Sequence, residues 1–274
     1  MQNKYGQWAI ITGASSGIGK AFAYDVANQG MNVILVSNEE EQLEIICTDI
    51  SGKFGIKALP CFVDLSSQSC IIDIAKLAEG KEIGLLVNDA SYGIHGKFTE
   101  IPVEDYYNLI SVNVNAYVTL THKFLPQMIS RKKGAVIMVS SLNAFSPIAE
   151  SAIYTATKAF ELYFGGALWL EMKENNVDVL VVMPGPTRTG FQEKAGTKVN
   201  AMALTPEDLV RGVWPCLGKK MVFIPGLYNK LISFIGSNIE MEKRVQLASK
   251  IYKLMLHEKP DADLFQLLAE LDFL

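Results

Sequence analysis

The stretch from Trp8 to Gly19, WAIITGASSGIG, decides the fold of this 274-residue chain. Trp8–Ile11 is a short apolar run typical of a buried strand, and the glycine-rich turn after it leads into a predicted helix over Lys20–Gln29. Glycines at this spacing permit a tight reversal from strand to helix and let the backbone approach a phosphate group closely. The N–H groups that open the helix favour an anion. The pattern predicts a nucleotide-binding turn, and the alternative is an ordinary glycine-rich loop.

The rest of the chain alternates apolar runs with helical segments. Further strands are predicted over Asn32–Val36, Lys57–Val63, Ile83–Val87, Gly134–Val139, Val177–Met183 and Val222–Ile224. Further helices are predicted over Glu39–Phe54, Ser67–Glu79, Pro102–Arg131 and Ala152–Asn175. Continuous Val/Ile/Leu strands separated by helices are typical of parallel sheets covered on both faces. We therefore predict an α/β fold, a doubly wound, seven-stranded, mostly parallel Rossmann-type sheet with helices on both faces, in a single domain.

Residues 226–274 lie beyond this alternation, and we predict a helical extension that packs on the domain formed by residues 1–225. Apolar side chains recur there at helical spacing in two stripes, Leu227, Leu231, Phe234 and Ile235, then Val245, Ala248, Ile251, Tyr252 and Met255. Basic residues are interleaved with them at Lys230, Lys243, Arg244, Lys250 and Lys253. The alternative to packing on the domain or on a partner is therefore contact with a membrane surface.

Composition excludes several classes of protein. Hydrophobic residues make up 49% of the chain, charged residues 20%, and the net charge is −4, which indicates a well-buried globular protein that does not coat nucleic acid. The four cysteines form no CxxC pair and no metal-ligand spacing with the three histidines, so we predict reduced core thiols and no metal site. With no leader pattern and no apolar run of about 20 residues, we expect a cytoplasmic protein without a transmembrane segment.

Tyr154 and Lys158 lie four residues apart in a predicted helix and therefore share one face of it. An ammonium beside a phenol favours the phenolate, so the pair predicts a lowered pKa for Tyr154 and proton exchange near neutral pH. By itself the spacing is also compatible with a half-buried aromatic beside a solvated lysine.

Taken together, these motifs resemble the short-chain dehydrogenase/reductase family in its single-domain form. The family's glycine-rich turn matches Thr12–Gly19, its Tyr-x-x-x-Lys pair matches Tyr154 and Lys158, and its Pro-Gly after strand six matches Pro184-Gly185. The register fits from about Trp8 to Pro225. One departure is clear: the family's Asn-Asn-Ala-Gly after strand four is Asn88-Asp89-Ala90-Ser91 here, which adds a carboxylate and places a Cβ where the family has glycine.

The resemblance implies a set of site residues. The catalytic set is Asn113, Ser141, Tyr154 and Lys158. The cofactor-binding set is Gly13, Ser15, Ser16, Gly17, Ile18, Gly19, Ser37, Asn38, Asp64, Leu65, Asn88, Ala90, Tyr154, Lys158, Pro184, Gly185, Thr187 and Thr189. Tyr154 is the implied general acid for carbonyl reduction and the base for alcohol oxidation. Ser141 would orient the carbonyl, and Asn113 would hold a water that relays protons to Lys158.

Several of these assignments have a rival. Ser140 competes with Ser141, Asn115 competes with Asn113, and Asp64 is equally well explained as a turn or helix-cap residue. Thr187 and Thr189 are also plausible turn residues. At the end of strand two, Ser37 and Asn38 are both neutral where an acidic residue would bind a 2′-hydroxyl, which favours NADP(H) over NAD(H). No arginine stands there to hold a 2′-phosphate, and Glu39-Glu40-Glu41 lies close by.

The substrate side is predicted to be apolar. Its candidate residues are Leu142, Phe145, Ile148, Phe191 and Met202, under a lid from Thr187 to Thr205. His95 is a further candidate, with a solvated loop residue as the alternative. We therefore expect a hydrophobic ketone, aldehyde or secondary alcohol as the small-molecule substrate.

The helix that carries Tyr154 is apolar on nearly every side, which predicts packing against a second subunit in a homodimer or homotetramer. The competing functions are a nucleotide-binding regulator or scaffold without turnover, and an epimerase or dehydratase of the longer relatives. The spacing of Gly13, Gly17 and Gly19 and the short C-terminal region argue against the latter.

Overall fold

The computed structural model of the protein describes residues 1–190 and 203–257. Its strands form one seven-stranded sheet in the order β3-β2-β1-β4-β5-β6-β7, and every neighbouring pair is parallel. The strands are β1 Trp8–Thr12, β2 Asn32–Ser37, β3 Ala58–Phe62, β4 Ile83–Asn88, β5 Gly134–Val139, β6 Val177–Val182 and β7 Val222–Phe223. The predicted doubly wound Rossmann-type sheet is confirmed. Its strand order reverses between β1 and β4, which is where ligands bind in open α/β sheets.

Ten α-helices accompany the sheet in the described ranges. They are α1 Gln2–Tyr5, α2 Gly17–Asn28, α3 Glu40–Phe54, α4 Cys70–Leu77, α5 Val103–Ile110, α6 Ala116–Arg131, α7 Ala152–Glu171, α8 Pro206–Val213, α9 Leu227–Ser237 and α10 Met241–His257. Helices α2, α3 and α8 cover one face, where Phe22, Leu43 and Val213 are fully buried. Helices α4, α6 and α7 cover the other, around Tyr117 and Phe124. The two cores hold the sheet rigid and present the carboxyl ends of its strands at one edge.

The predicted helix over Pro102–Arg131 is interrupted. Between α5 and α6 lies a π-helical turn, Ser111–Asn115, which inserts an extra residue into the helical repeat. This turn buries Asn113 completely and leaves Asn115 exposed, so it settles which of the two asparagines faces the interior. The predicted helix over Ala152–Asn175 likewise ends as α7 at Glu171 and continues as a 3-10 turn, Met172–Asn175.

Helix α7 has a polar buried face and an apolar exposed one. Tyr154, Lys158 and Glu161 are buried, whereas Tyr163 is 77% and Leu170 64% exposed. The predicted packing of this helix against both the sheet and a second subunit stays a prediction, since Tyr163 and Leu170 are exposed in the single chain. The exposed side chains form an apolar surface of the kind that subunit contacts cover.

Helix α7 also lies directly on the sheet. A Cβ placed on Gly165 would come within 2.4 Å of Val181 Cγ2 and 3.0 Å of Met138 Sδ. Only glycine permits this approach of helix to strands β5 and β6, since any side chain at residue 165 would separate them.

Helices α9 and α10 bring the C-terminal region back over the carboxyl edge of the sheet. Asn229 Nδ2 of α9 donates to Pro225 O at 2.7 Å and lies against Gly185. Ser249 Oγ of α10 accepts from Ala149 N at 2.8 Å. Within the ranges described, no helix is long and apolar enough to span a membrane. The side chains of Phe234, Ile235 and Met255, and residues 258–274, lie outside the described part.

Candidate active site

The turn after β1 has the backbone that a dinucleotide requires. Gly13 and Gly17 adopt positive φ angles of 67° and 55°, which favour glycine. A Cβ on Gly19 would lie 2.3 Å from Gly13 O, so the helix start lies directly against the strand end. The N-cap residue Ser16 makes no side-chain cap bond, and among the first N–H groups of α2 that of Gly19 donates to the Asp89 carboxyl. This cradle fits a pyrophosphate, and the residues present would hold one.

The end of β2 is joined to this turn by two serines. Ser37 Oγ donates to Ser15 Oγ at 2.9 Å, and both residues are buried. Asn38 beside them is exposed, and Ile18 packs against the core beneath α2. The side chains at the end of β2, where an adenosine ribose would lie, are therefore uncharged, and Glu39 follows them directly, its N–H donating to Ser37 Oγ at 3.1 Å.

Asp64 and Leu65 follow β3. Asp64 Oδ1 accepts from Ser66 N at 2.8 Å, which is the turn role considered for this aspartate as an alternative to adenine binding. Leu65 is buried against the core of the same face as Trp8 and Ile10.

The segment after β4 departs from the family pattern without backbone strain. Thr12 Oγ1 accepts from both Asp89 N and Ala90 N at 3.0 Å, which ties this segment to the glycine-rich turn. Ser91 does not have a positive φ, so the Cβ that replaces the family's glycine costs no strain. Asn88 is buried, and its Nδ2 donates to Thr121 Oγ1 at 3.1 Å.

The Asp89 carboxyl lies inside the glycine-rich turn. Its Oδ2 is 3.2 Å from the Cβ position of Gly13 and 2.8 Å from that of Gly19, and it accepts a hydrogen bond from the Gly19 backbone. Burial raises the pKa of this carboxyl to about 7, although the Lys158 ammonium and the Gly19 N–H oppose the rise. Asp89 therefore places a group that gains or loses its charge near neutral pH where a phosphate would bind.

Tyr154 meets Ser141 at the carboxyl end of β5. Tyr154 is buried on α7, and a side-chain hydrogen bond joins it to Ser141, which begins the 3-10 turn Leu142–Phe145. Ser140 is buried and donates to Lys158 O at 2.8 Å instead. The structure thus brings Ser141, and not Ser140, to the tyrosine.

Lys158 is held by a glutamate that the sequence analysis did not single out. Its Nζ lies 3.1 Å from both carboxylate oxygens of Glu161 and 3.2 Å from Val139 O. Lys158 is 2% and Glu161 0% exposed. Burial raises the pKa of Glu161 to about 8, against the attraction of Lys158. Residues 154, 158 and 161 form one helical stripe, a spacing that would have identified Glu161 from the sequence.

The predicted lowering of the Tyr154 pKa is wrong for this structure. Desolvation raises the pKa of the phenol, and the negative charge of Glu161 raises it further. The ammonium that was expected to counter this lies 5.8 Å from the centroid of the Tyr154 ring and is paired with Glu161. The phenol is therefore held in its protonated form.

Asn113 connects α7 to the loop after β4. Its Oδ1 accepts from Tyr92 N at 3.2 Å, and its Nδ2 donates to Tyr92 O at 3.0 Å and to Thr157 Oγ1 at 3.1 Å. Both halves of the amide are thereby used in holding the tyrosine helix against this loop.

His95 is not a solvated loop residue. Its Nδ1 lies 3.1 Å from Ser151 Oγ, and its ring centroid is 6.0 Å from that of Tyr154. The phenol of Tyr252, on α10, hydrogen-bonds to the same imidazole. Burial lowers the pKa of His95 and keeps the ring neutral. Tyr252 belongs to a polar cluster beside Tyr154 that its place in an apolar stripe did not suggest.

The segment after β6 contacts both the 3-10 turn after β5 and the glycine-rich turn. Pro184 O accepts from Leu142 N at 2.9 Å, and Thr187 Oγ1 donates to Gly185 O at 3.0 Å. The methyl group of Thr189 lies 3.1 Å from the Cβ position of Gly17, so Thr189 touches the glycine-rich turn. Of the predicted pocket residues, Ile148 is buried and Leu142 and Phe145 are half-buried. Phe191, Met202 and most of the predicted lid lie outside the described residues.

This arrangement suits hydride chemistry at a carbonyl. A protonated phenol and a serine hydroxyl converge where an alkoxide would form, and a dinucleotide cradle lies at the same edge of the sheet. No group of three or more His, Cys, Asp or Glu side chains able to hold a metal ion is found in residues 1–190 and 203–257.

Comparison with known proteins agrees with this geometry. The short chain dehydrogenase family model matches residues 7–200. "Inactive hydroxysteroid dehydrogenase-like protein 1" of Rattus norvegicus is 35% identical over 184 residues, which cover 66% of this chain and 56% of that protein. The match therefore spans little more than half the length of that relative.

Two solved structures are similar over most of their length. A structure from a study of 7beta-hydroxysteroid dehydrogenase stereoselectivity is 30% identical with a TM-score of 0.85, covering 89% of this chain and 97% of that one. A short-chain dehydrogenase from Sphingobium yanoikuyae in complex with NADPH is 28% identical with a TM-score of 0.75, covering 85% and 96%. The family match and the fold show that this chain belongs to the short-chain dehydrogenase/reductase family.

Proposed function

We propose that the protein is an oxidoreductase that transfers a hydride between a nicotinamide cofactor and a ketone, aldehyde or secondary alcohol. The observation that carries this proposal is the hydrogen bond between Tyr154 and Ser141 at the carboxyl end of β5. This hydrogen bond supports the proposal because it joins the proposed proton donor to the proposed carbonyl-orienting hydroxyl, at the edge of the sheet that bears the glycine-rich turn.

Each catalytic residue has a separate role. Tyr154 donates the proton to the developing alkoxide, and its raised pKa suits the reducing direction because the phenol stays protonated. Ser141 donates a hydrogen bond to the same oxygen. Lys158 supplies positive charge beneath the tyrosine ring. Asn113 positions α7, and the proton-relay role that the family gives this residue remains a prediction.

NADP(H) is the proposed cofactor in preference to NAD(H). The neutral Ser37 and Asn38 at the end of β2 support this choice, since neither repels a 2′-phosphate. The NADPH complex of the Sphingobium yanoikuyae relative adds to it. When bound, the cofactor would supply the hydride, and the residues predicted for it, from Gly13 to Thr189, remain its proposed binding set.

The proposed substrate is hydrophobic. The apolar Leu142, Phe145 and Ile148 support this, and the likeness to a 7beta-hydroxysteroid dehydrogenase makes hydroxysteroids and their ketones the first compounds to try. We also propose that residues 226–274 belong to the same unit as residues 1–225, because Asn229, Ser249 and Tyr252 all contact it.

We further propose a cytoplasmic homodimer or homotetramer that joins through α7. The exposed Tyr163 and Leu170 on that helix support an apolar subunit contact. Light scattering at micromolar concentration is expected to give at least twice the chain mass, and replacing Leu170 with glutamate is expected to lower it. A monomeric wild type would contradict this assembly.

The decisive experiment measures NADPH and NADH oxidation with hydrophobic ketones, including steroid ketones. Tyr154→Phe is expected to lower kcat about 10²- to 10⁴-fold, because the general acid is lost. Tyr163→Phe is the matched control: it removes a phenol from the exposed side of the same helix and is expected to leave the rate unchanged. Equal rates for wild type and Tyr154→Phe would refute the proposal.

A regulatory or scaffold protein that binds the nucleotide without turnover is the second candidate. The pairing of Lys158 with Glu161 and the carboxyl of Asp89 inside the turn favour it, as does the word "inactive" in the name of the Rattus norvegicus relative. NADPH binding by the wild type without oxidation of any ketone in the panel would support this candidate.

A further inference from the structure

Glu161 gives this site a buried carboxyl whose function the proposed reaction leaves unexplained. Glu161 is 0% exposed, and both of its carboxylate oxygens lie 3.1 Å from Lys158 Nζ. A buried ion pair is not required for folding, because apolar residues of similar volume often stabilise a protein as well. Its place, seven residues after Tyr154 on the same helical stripe, points to a role that acts through Lys158.

The neighbours of Glu161 decide what its charge does. The titratable groups that face it are Lys158 and Tyr154 on α7, Tyr117 on α6 and Asp89 after β4. Both tyrosines are neutral, because burial raises their pKa values. Lys158 is thus the only cation among these groups, and it stands between two carboxyls.

On this basis, and resting on the proposed function, we propose that Glu161 is a positioning residue whose proton controls Lys158. When the carboxyl is ionised it holds the ammonium and cancels its charge. When the carboxyl takes up a proton, the ammonium becomes the uncompensated charge of the site and attracts the anionic cofactor. Cofactor binding would therefore be coupled to proton uptake by Glu161.

The sign of the coupling follows from the charges. Because burial holds the pKa of Glu161 near 8, raising the pH from 7 to 9 removes its proton and adds a negative charge beside Lys158. NADPH binding to the wild type is expected to weaken about 5- to 10-fold over this range. Burial also raises the pKa of Asp89, whose charge acts on Glu161, so the two carboxyls release their protons over overlapping pH ranges.

The test follows NADPH affinity by fluorescence between pH 7 and 9 in wild type, Glu161→Gln and the control Glu171→Gln, which alters an exposed carboxyl at the end of α7. Glu161→Gln is expected to bind NADPH with less than about a twofold change over this range, while the control keeps the wild-type slope. An unchanged slope in Glu161→Gln overturns the inference.

A second measurement needs no Glu161 variant. Calorimetry of NADPH binding near pH 8, in two buffers of different ionisation enthalpy, counts the protons taken up. The wild type and Asp89→Asn are both expected to take up a fraction of a proton. If the wild type takes up no proton, or if Asp89→Asn no longer takes one up, the proton does not bind to Glu161 and the inference is overturned. A wild type that binds no nicotinamide cofactor at any pH defeats the proposed function itself, and this inference with it.

Discussion

The phenol of Tyr252 lies 3.0 Å from Nδ1 and 2.9 Å from Nε2 of His95, a residue that precedes it by 157 positions. Since the His95 ring also touches that of Tyr154, helix α10 is linked to the proposed acid through a single imidazole. The contact between Tyr252 and His95 therefore both holds the C-terminal region on the domain and fixes the position of a side chain next to Tyr154.

Replacing Tyr252 with phenylalanine removes this link and keeps the ring. The free energy of unfolding is expected to fall by about 1 kcal/mol, the typical value of one hydrogen bond. Hydrogen exchange is expected to rise within α10 and stay unchanged in β1 and β4. Ser249→Ala, which removes another contact of α10, is expected to act similarly. Exchange that rises equally throughout the sheet would contradict this prediction.

The two adjacent serines after β5 are expected to differ in their effect on activity. Ser141→Ala should lower kcat about 10²- to 10³-fold, because it removes a donor to the reacting oxygen. It should also lower the melting temperature, because Ser141 Oγ accepts from Asn143 N at 3.1 Å. Ser140→Ala should cost about 1 kcal/mol of stability, because it removes a buried bond to the backbone of α7. Thermal melts beside steady-state kinetics check both, and the opposite pattern would exchange their roles.

Stability is expected to fall as the pH rises from about 5 to 8. The folded-state pKa of Glu161 is raised to about 8 and that of Asp89 to about 7, so the folded protein keeps protons that the unfolded chain releases. The stabilisation is complete below the unfolded-state pKa values and is lost as the pH passes the folded-state ones. Each group contributes at most about 1.4 kcal/mol per pH unit.

Melting temperatures measured across that pH range check this prediction with Glu161→Gln. The variant is expected to lose less stability than the wild type between pH 5 and 8, because one of the two proton-binding groups is gone. Glu171→Gln should follow the wild type. Parallel curves for Glu161→Gln and the wild type would show that Glu161 does not carry the raised pKa.

Two glycine-to-alanine substitutions are expected to differ in effect: one abolishes NADPH binding and the other raises the stability of the protein. At Gly19 a Cβ would lie 2.3 Å from Gly13 O, so Gly19→Ala should distort the turn and abolish NADPH binding. At Gly52, within α3, a Cβ meets nothing within 4 Å, so alanine should stabilise the helix by about 0.5–1 kcal/mol. Binding titrations and thermal melts measure both effects, and NADPH binding by Gly19→Ala at wild-type affinity would contradict the first.

Much of the fold follows from local patterns in the sequence. The strands read as apolar runs because both faces of the sheet are covered, and the turn at Thr12–Gly19 needs its glycines at fixed positions. Tyr154 and Lys158 are found by spacing because a helix places them on one face.

The remaining features depend on contacts that spacing does not report. The π-helical turn that buries Asn113 has no distinctive residues, since Ser111–Asn115 is compatible with an ordinary helix. Tyr252 meets His95 across a large sequence separation, and only the tertiary fold joins them. The pKa of Tyr154 is raised, and not lowered as expected, because the fold buries the phenol and because Glu161, which shares its helical stripe, adds negative charge and pairs with the ammonium.

The seating of α7 on the sheet at Gly165 has a consequence for anyone who sets out to change the specificity of this protein. Gly165 and Tyr154 belong to one rigid helix, and a methyl group at residue 165 would lift that helix off Val181. The hydroxyl of Tyr154 would then move relative to Ser141 although neither residue had been altered. Variation at a position that touches no substrate thus offers a way to retune turnover, and libraries confined to the pocket lining would miss it.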